Sequence, residues 1–491
     1  MPSLALACRL SAVSRASRRP FSPASLFSSG EQGVWYDPSD LSTMYQDAAG
    51  TTPVTAVEQP VGLMLDKSKG LVLGPELVSN GDFSNGTTGW VKGDNNSSIA
   101  VVDGKLVCDC GATTNEFVKQ TIATVAGRAY FVSVDVVALS SHFAIRNGGT
   151  LGIGEGYTTT LGTRKTWFVA TGSTIVLTLV ANDARRTATV DNISVRELPG
   201  NHAYQSTSAS RPVLSARVNQ YLNTATLATQ NVTTLATTYT LRFEGTGSIT
   251  LSGTATGTYT AGAHSVVCTA GTLTSTVTGT VTNADLRPTN SGVNLPPYQR
   301  VNTSTDYDTA GFPHYLKFDG IDDSLVTNSI DFTGTDKMTV FAGFRKLSSI
   351  TQSIVGNRDI DADGPSFGLW ADVASSNVVR AFSGGAFSNK NLTSVSATGF
   401  PAPLTLVSTF TGDIAADINR IRINGVLAAE TFSDQGSGNH ANLPLVIGTN
   451  PTLAGRRFNG HIYSLIVRGA QSSEAQILSA ETYCNQKTGA Y

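Results

Sequence analysis

Short apolar runs separated by polar, turn-forming residues recur over most of this chain. Between Pro75 and Leu198 the pattern gives SIAVVDGKLVC, AYFVSVDVVAL, TWFVATG, STIVLTLVAND and TATVDNISVREL. Each run is rich in β-branched or aromatic residues and bounded by Gly, Asn, Asp or Ser, which predicts the short strands of a β-sandwich. From about Val218 to Asp285 the chain is dominated by Thr, Gly, Ala and Val, and glycines punctuate a clear alternation. Disordered segments are poor in β-branched residues and rich in charge, so this stretch predicts a small β-domain with hairpin turns. From Asp306 onward, YLKFDG, DSLVTNSIDF, MTVFAGFRKL, PSFGLWAD, LTLVSTF, NRIRINGVLA, LPLVIG and HIYSLIVRG predict eight or more strands, as in a jelly roll. The tail QSSEAQILSAETYCNQKTG changes period and predicts a helix, capped by Ser472 or Ser473 and ended by Gly489. No run of about 18 apolar residues occurs, so no membrane span is expected.

Composition supports the same class. A chain of 491 residues suggests roughly two to four domains. Glutamate, a good helix former, is scarce beside aspartate, which prefers turns and caps. The expected fold class is therefore all-β: a multi-domain jelly-roll/β-sandwich with a short C-terminal helix. The formal net charge of −2 supplies no basic field for nucleic acid. Cys8, Cys108, Cys110, Cys268 and Cys484 are an odd, dispersed set without a CxxC pair, and read as reduced structural thiols. Residues 1–30 carry Arg9, Arg15, Arg18 and Arg19 and no carboxylate. That composition is shared by organellar transit peptides and by flexible basic arms that order against a partner, and the arm is the preferred reading.

Four segments of the last block, YLKFDGIDDSL, PSFGLWAD, RIRINGVLAAE and NGHIYSLIVRGAQSSEAQILSAETYCNQKTG, resemble the concanavalin A-like lectin/glucanase superfamily in its laminin G-like branch. Such domains often open with further pieces, matched here by VWYDPSDLSTMYQD, LDKSKG and GNHAYQSTSASRPVL. The DKS and GNHA pieces, usually adjacent, are far apart in this chain. The resemblance thus implies a discontinuous jelly roll of residues 34–70, 200–214 and 306–491, with an N-terminal anchoring arm at 1–33. Residues 71–199 and 215–305 are then insertions at surface turns, which tolerate them when the insert's ends lie close together. The first insert, from ELVSNGDFSNGTTGW to ATVDNISVREL, resembles carbohydrate-binding modules with the galactose-binding-like β-sandwich, in which those two segments lie side by side. The second is a Thr/Gly-rich small β-domain. The whole string resembles phage tail-fibre, appendage or virion-decoration proteins.

Several clusters invite a chemical reading. Asp319 and Gly320 form a strong hairpin signal, and Asp322 and Asp323 can accept from nearby backbone amides, so a structural turn is expected there, with a calcium site as the alternative. Asp359, Asp361 and Asp363 follow the order that opens an EF-hand loop, but Trp370 stands where the bidentate Glu is required, leaving a polar loop or a looser cation site. In the first insert, Asp191 sits where the resembled modules often hold structural calcium, with Asp82 as a partner. Aromatic faces stack on sugar rings. Tyr157, Trp167, Trp370 and Trp90 are the available carbohydrate platforms, Tyr157 the best exposed candidate, while Trp35, Trp90 and Trp370 lie in segments where aromatics usually pack inward. No E-x-D-x-x-E string, HExxH, GxSxG or GxxxxGK[ST] occurs, and the histidines show no ligand spacing, so no active site is expected.

The function expected is that of a non-enzymatic phage virion structural protein, a tail fibre or appendage that binds host surface polysaccharide. Residues 1–30 would contact other virion proteins, with assembly in the host cytoplasm and a homo-oligomer, trimer favoured. Structural calcium is the one cofactor suggested. A decoration protein of capsid, collar or tail without a glycan ligand is the alternative, ahead of a polysaccharide depolymerase.

Overall fold

The structure is a computed structural model that describes residues 21–93, 97–112, 115–147, 157–292, 294–357, 364–372, 376–386, 394–450 and 455–491. The chain forms a multi-domain, all-β assembly with one α-helix among the described residues, Glu474–Thr488. Two large sheets stack face to face. The first orders its strands Val213–Ser215, Tyr315–Asp319, Asn459–Arg468, Lys337–Lys346, Leu404–Asp413, Ile418–Ile423 and Val426–Thr431, with Gly33–Tyr36 also paired to Asn459–Arg468. The second has nine strands, from Met44–Tyr45 through Leu325–Asp331 and Asn442–Ile447 to Ser394–Thr398. Alternate residues of both sheets, among them Leu316, Phe318, Val340, Phe344, Leu369 and Ile447, fill the space between them. Alternate side chains of each strand point to this interior, while central strands such as Lys337–Lys346 and Leu404–Asp413 are buried on their outer face as well.

The DGIDD turn departs from expectation. Asp319 and Gly320 do not close a hairpin. Strand Tyr315–Asp319 pairs with Val213–Ser215 and Asn459–Arg468 in the first sheet, while Leu325–Asp331 pairs with Ala203–Tyr204 and Asn442–Ile447 in the second. The segment is an arch that carries the chain across the sandwich. A turn signal reports a reversal of direction, and the strands it joins need not pair with each other. The turn chemistry itself is as the residues suggest. Gly320 has φ of 78°, Asp319 Oδ1 accepts from the Ile321 amide at 2.7 Å, and Asp323 Oδ2 accepts from the Asp319 amide at 2.9 Å. By contrast, RIRINGVLAAE is a true hairpin, with Asn424 and Gly425 both at positive φ.

The helix begins and ends where its sequence says. The Ser473 hydroxyl accepts from the Gln476 amide, Gln476 answers from its side chain, and Gly489 closes the helix in the left-handed region. Ile477, Ala480 and Cys484 pack on Phe341, Val407 and Ile466 of the first sheet's outer face. Leu26 and Phe27 join this cluster, so the expected flexible arm ends earlier than residue 30 or 33. A short 3₁₀ turn, Pro23–Phe27, is buried beside the helix, and Arg468 fixes the segment by donating to the Leu26 carbonyl at 2.7 Å and pairing with Glu31 at 2.6 Å. The apolar residues of PFSPASLF explain the docking, since leaving Leu26 and Phe27 in water would forgo about 2 kcal/mol each. Residues 1–20 lie outside the described residues.

Strands between Val91 and Leu198 build a five-stranded and a four-stranded sheet around their own core of Leu106, Phe117, Tyr130, Phe143, Leu177 and Val190. Its opening and closing segments lie side by side: Ile193 donates to the Gly81 carbonyl at 2.9 Å, and Leu77 to that of Val195 at 3.0 Å. Cys108 is buried there as a free thiol, pushed up to about 12 by burial. The Thr/Gly-rich stretch forms a further sheet on strand Thr237–Gly253, with Tyr239, Leu241, Phe243 and Ile249 in its core.

Candidate functional site

Tyr157 is the most exposed of the candidate aromatics, at 37%. Reciprocal backbone bonds between Thr158 and Phe143, 2.8 and 2.9 Å, hold its segment against strand Phe143–Asn147. That strand delivers Arg146, whose guanidinium carbon lies 4.8 Å from the Tyr157 ring centroid. Asn115 reaches the same place from a third segment. Its amide donates to the Tyr157 hydroxyl at 3.3 Å and to the Ala181 carbonyl at 2.9 Å, while the Ala181 amide donates back to the Asn115 carbonyl at 2.7 Å. Arg146 Nε is buried without a hydrogen-bond partner. The result is an exposed aromatic ring flanked by a guanidinium and a carboxamide. Sequence reasoning found the tyrosine in its Gly-rich connection but missed Asn115 and Arg146. Nothing local marks them, because only sheet pairing brings the three together.

The tryptophans are placed differently. Trp167 is 8% exposed and sits on the seam between two sandwiches. Its indole N–H donates to the Ala48 carbonyl at 2.8 Å, and its ring meets His202 and Tyr204 edge-on, at 5.9 and 6.3 Å. Trp370 is 2% exposed, perpendicular to Phe382 at 5.7 Å, with the Arg456 guanidinium 4.4 Å from its centroid. Trp35 and Trp90 are core residues, their indoles donating to the Tyr483 hydroxyl and the Asn80 carbonyl. These four rings contribute packing area rather than an open face.

Among the carboxylates, Asp319, Asp322 and Asp323 alone form a group of three potential ligands among the described residues, with oxygens within 4.8 Å of one another. Burial, with the neighbouring Asp319 and Asp322 charges, pushes Asp323 up to about 7. Their oxygens are engaged by the turn's own amides and by the Ser210 hydroxyl, which donates to Asp322 at 2.9 Å. Asp82 accepts from Ser84 and Asp191 from the Asn192 amide, and neither belongs to a cluster of three such side chains among the described residues. Asp359, Asp361 and Asp363 lie outside the described residues.

No family model matches this chain, and no curated protein matches it. Solved structures with a similar outline include the CBM40 of the Ruminococcus gnavus IT-sialidase, 12% identical, covering 30% of this chain and 84% of that one at a TM-score of 0.25. The binding domain of botulinum neurotoxin DC, solved in complex with SialylT, is 14% identical over 35% of this chain and 43% of its own, TM-score 0.27. The binding domain of Paraclostridial Mosquitocidal Protein 1 is 8% identical over the same shares, TM-score 0.28. Likeness at this level carries no argument about what the present chain binds.

Proposed function

We propose that this protein is a non-enzymatic phage virion component, a tail fibre or appendage, that attaches to host surface glycans through its β-sandwiches. One observation carries the glycan reading: Tyr157, Arg146 and Asn115 converge at the surface of the first inserted sandwich. A pyranose presents C–H groups on one side and hydroxyls around its rim, so it needs an aromatic face together with polar donors and acceptors. Tyr157 supplies the ring, Arg146 a guanidinium beside it, and Asn115 a carboxamide whose orientation is fixed by Ala181. Such a patch binds weakly on its own, and many copies on one particle multiply the effect.

The virion assignment rests on the motif resemblance of the chain and on its build of rigid sandwiches behind a basic segment. Since Phe21 to Gly30 belongs to the packed sandwich, anchoring to other virion proteins falls to residues 1–20. The test is retention of the full-length protein on host surface polysaccharide, with wild type compared with Tyr157→Ala and Arg146→Ala. The reading expects at least a five-fold loss of retention for each variant with unchanged thermal unfolding. Equal retention by all three proteins sinks it. Complete absence of retention, with binding to the particle that disappears when residues 1–20 are removed, favours a decoration protein instead.

A further inference from the structure

A second site lies elsewhere in the molecule. The outer face of the first sheet is divided: one half carries the C-terminal helix, and the other faces the Thr/Gly-rich unit across a cleft of about 340 Å³. That volume falls in the range of small-ligand clefts, roughly 300–1,000 Å³. Alternation along Tyr315–Asp319 puts Leu316 and Phe318 in the core and turns Tyr315 and Lys317 into the cleft, where they meet Arg345, His461 and Tyr463 from neighbouring strands. Arg217 enters from the start of the Thr/Gly-rich unit and Glu58 from the loop beside it.

Charge is unbalanced here. Arg217, Lys317 and Arg345 form no ion pair among the described residues. Arg345, 4% exposed, donates to neutral oxygens only: the Asn290 carbonyl at 2.6 Å, the Thr405 hydroxyl at 2.8 Å and the Asn290 carboxamide at 3.0 Å. Arg217 likewise donates to the carbonyls of Asn219, Gln220 and Tyr221. A guanidinium has five N–H donors, so each keeps two. Buried cations normally find a carboxylate, and the buried Arg345 and half-buried Arg217 guanidiniums, both held by neutral groups beside an open cleft, leave a position for an anion. His461 does not add charge, because burial and the nearby Arg345 and Lys317 hold it well below its usual value, stacked on Tyr315 at 3.9 Å. The one carboxylate, Glu58, takes the Ser215 and Tyr307 hydroxyls on Oε1, which leaves Oε2 as an acceptor.

We propose that this cleft binds an acidic saccharide, with the ligand carboxylate held by Lys317, Arg217 and Arg345 and its ring hydroxyls met by Glu58, Ser215 and the tyrosines. A polyphosphate or nucleic acid suits the cleft less well, since Glu58 would face its charge and the remaining lining is rich in hydroxyls. This site is independent of the Tyr157 patch, which is carried by a different sheet.

Isothermal titration of the full chain with digalacturonate and with N-acetylneuraminate, each against its methyl ester, tests the proposal. At least one acid should bind with its ester weakened ten-fold or more. Lys317→Ala, an exposed position, should weaken the acid at least five-fold, whereas Tyr157→Ala should leave it unchanged. Absence of binding by both acids, equal binding of acid and ester, or indifference to Lys317→Ala overturns it. Loss caused by Tyr157→Ala alone would assign the binding to the other patch and overturn it equally.

Discussion

The backbone amide of Asn201 donates to the carboxylate of Asp66 at 2.8 Å, although 135 residues separate them. The same carboxylate accepts from the Trp35 amide, the Ser68 amide and the Ser68 hydroxyl, all at 2.8 Å. Asp66 is fully buried. It stands where the chain leaves the jelly roll for the first inserted sandwich and where it returns, and it ties both ends to strand Gly33–Tyr36. An insertion at a surface turn needs its ends close together, and this residue holds them so.

Replacing Asp66 by Ala leaves three buried amides without an acceptor. A loss of about 3–5 kcal/mol is expected in denaturant unfolding, the scale for removing one member of a buried charged network. Burial raises this carboxyl to about 6 against its hydrogen bonds. The folded state therefore holds more protons than the unfolded state between the ordinary value of 3.8 and about 6, so this group's contribution to stability improves as pH falls through that window.

Asp323 has the same sign and a higher window. With its folded value near 7, stability contributed at the arch should rise as pH falls from about 8 toward 4. Asp323→Asn keeps an acceptor for the Asp319 amide and removes a buried charge together with its repulsion by Asp319 and Asp322. It should gain about 1–2 kcal/mol at pH 8, a modest figure because water screens the open side of the turn, and flatten the part of the pH profile near 7. Thermal unfolding at pH 5 and pH 8 decides it; an unchanged slope would show that neither burial nor its neighbours raise the Asp323 carboxyl.

Trp167 should behave as mortar between sandwiches. Trp167→Ala removes its contacts with His202 and Tyr204 and its bond to Ala48, at a cost of about 3–5 kcal/mol. Scanning calorimetry should then resolve a separate transition for residues 71–199. A single cooperative transition at the wild-type temperature would contradict this.

Gln299 performs for the second insert what Asp66 does for the first. Its oxygen accepts from the Val218 and Asn219 amides at 2.8 and 3.0 Å, and its nitrogen donates to the Ala216 and Asp308 carbonyls at 2.9 Å each. Gln299→Ala removes four bonds, three of them to the buried residues Ala216, Val218 and Asn219, and should cost about 2–4 kcal/mol. Hydrogen exchange should quicken over residues 217–290 while Lys337–Lys346 keeps its protection; uniform exchange across both regions would refute a local clasp.

The sequence by itself determined what depends on near neighbours. Runs of β-branched and aromatic residues marked YLKF, MTVFAGF and LTLVSTF as strands, the Asn424–Gly425 pair marked a hairpin, and Ser473 with Gly489 marked the limits of the helix. Side-chain alternation, turn conformation and end-capping are settled within a few residues, so they can be read locally. Tertiary structure alone decided which strands pair and which side chains meet. It sent Phe318 and Leu325 into opposite sheets across one turn, packed Leu26 under the helix, set Trp167 on a seam, and gathered Tyr157, Arg146 and Asn115 from three segments. Alternation states that a face is buried but not against what; the partner is chosen by sheet register and packing over the whole chain, and that choice has no signature in a short window.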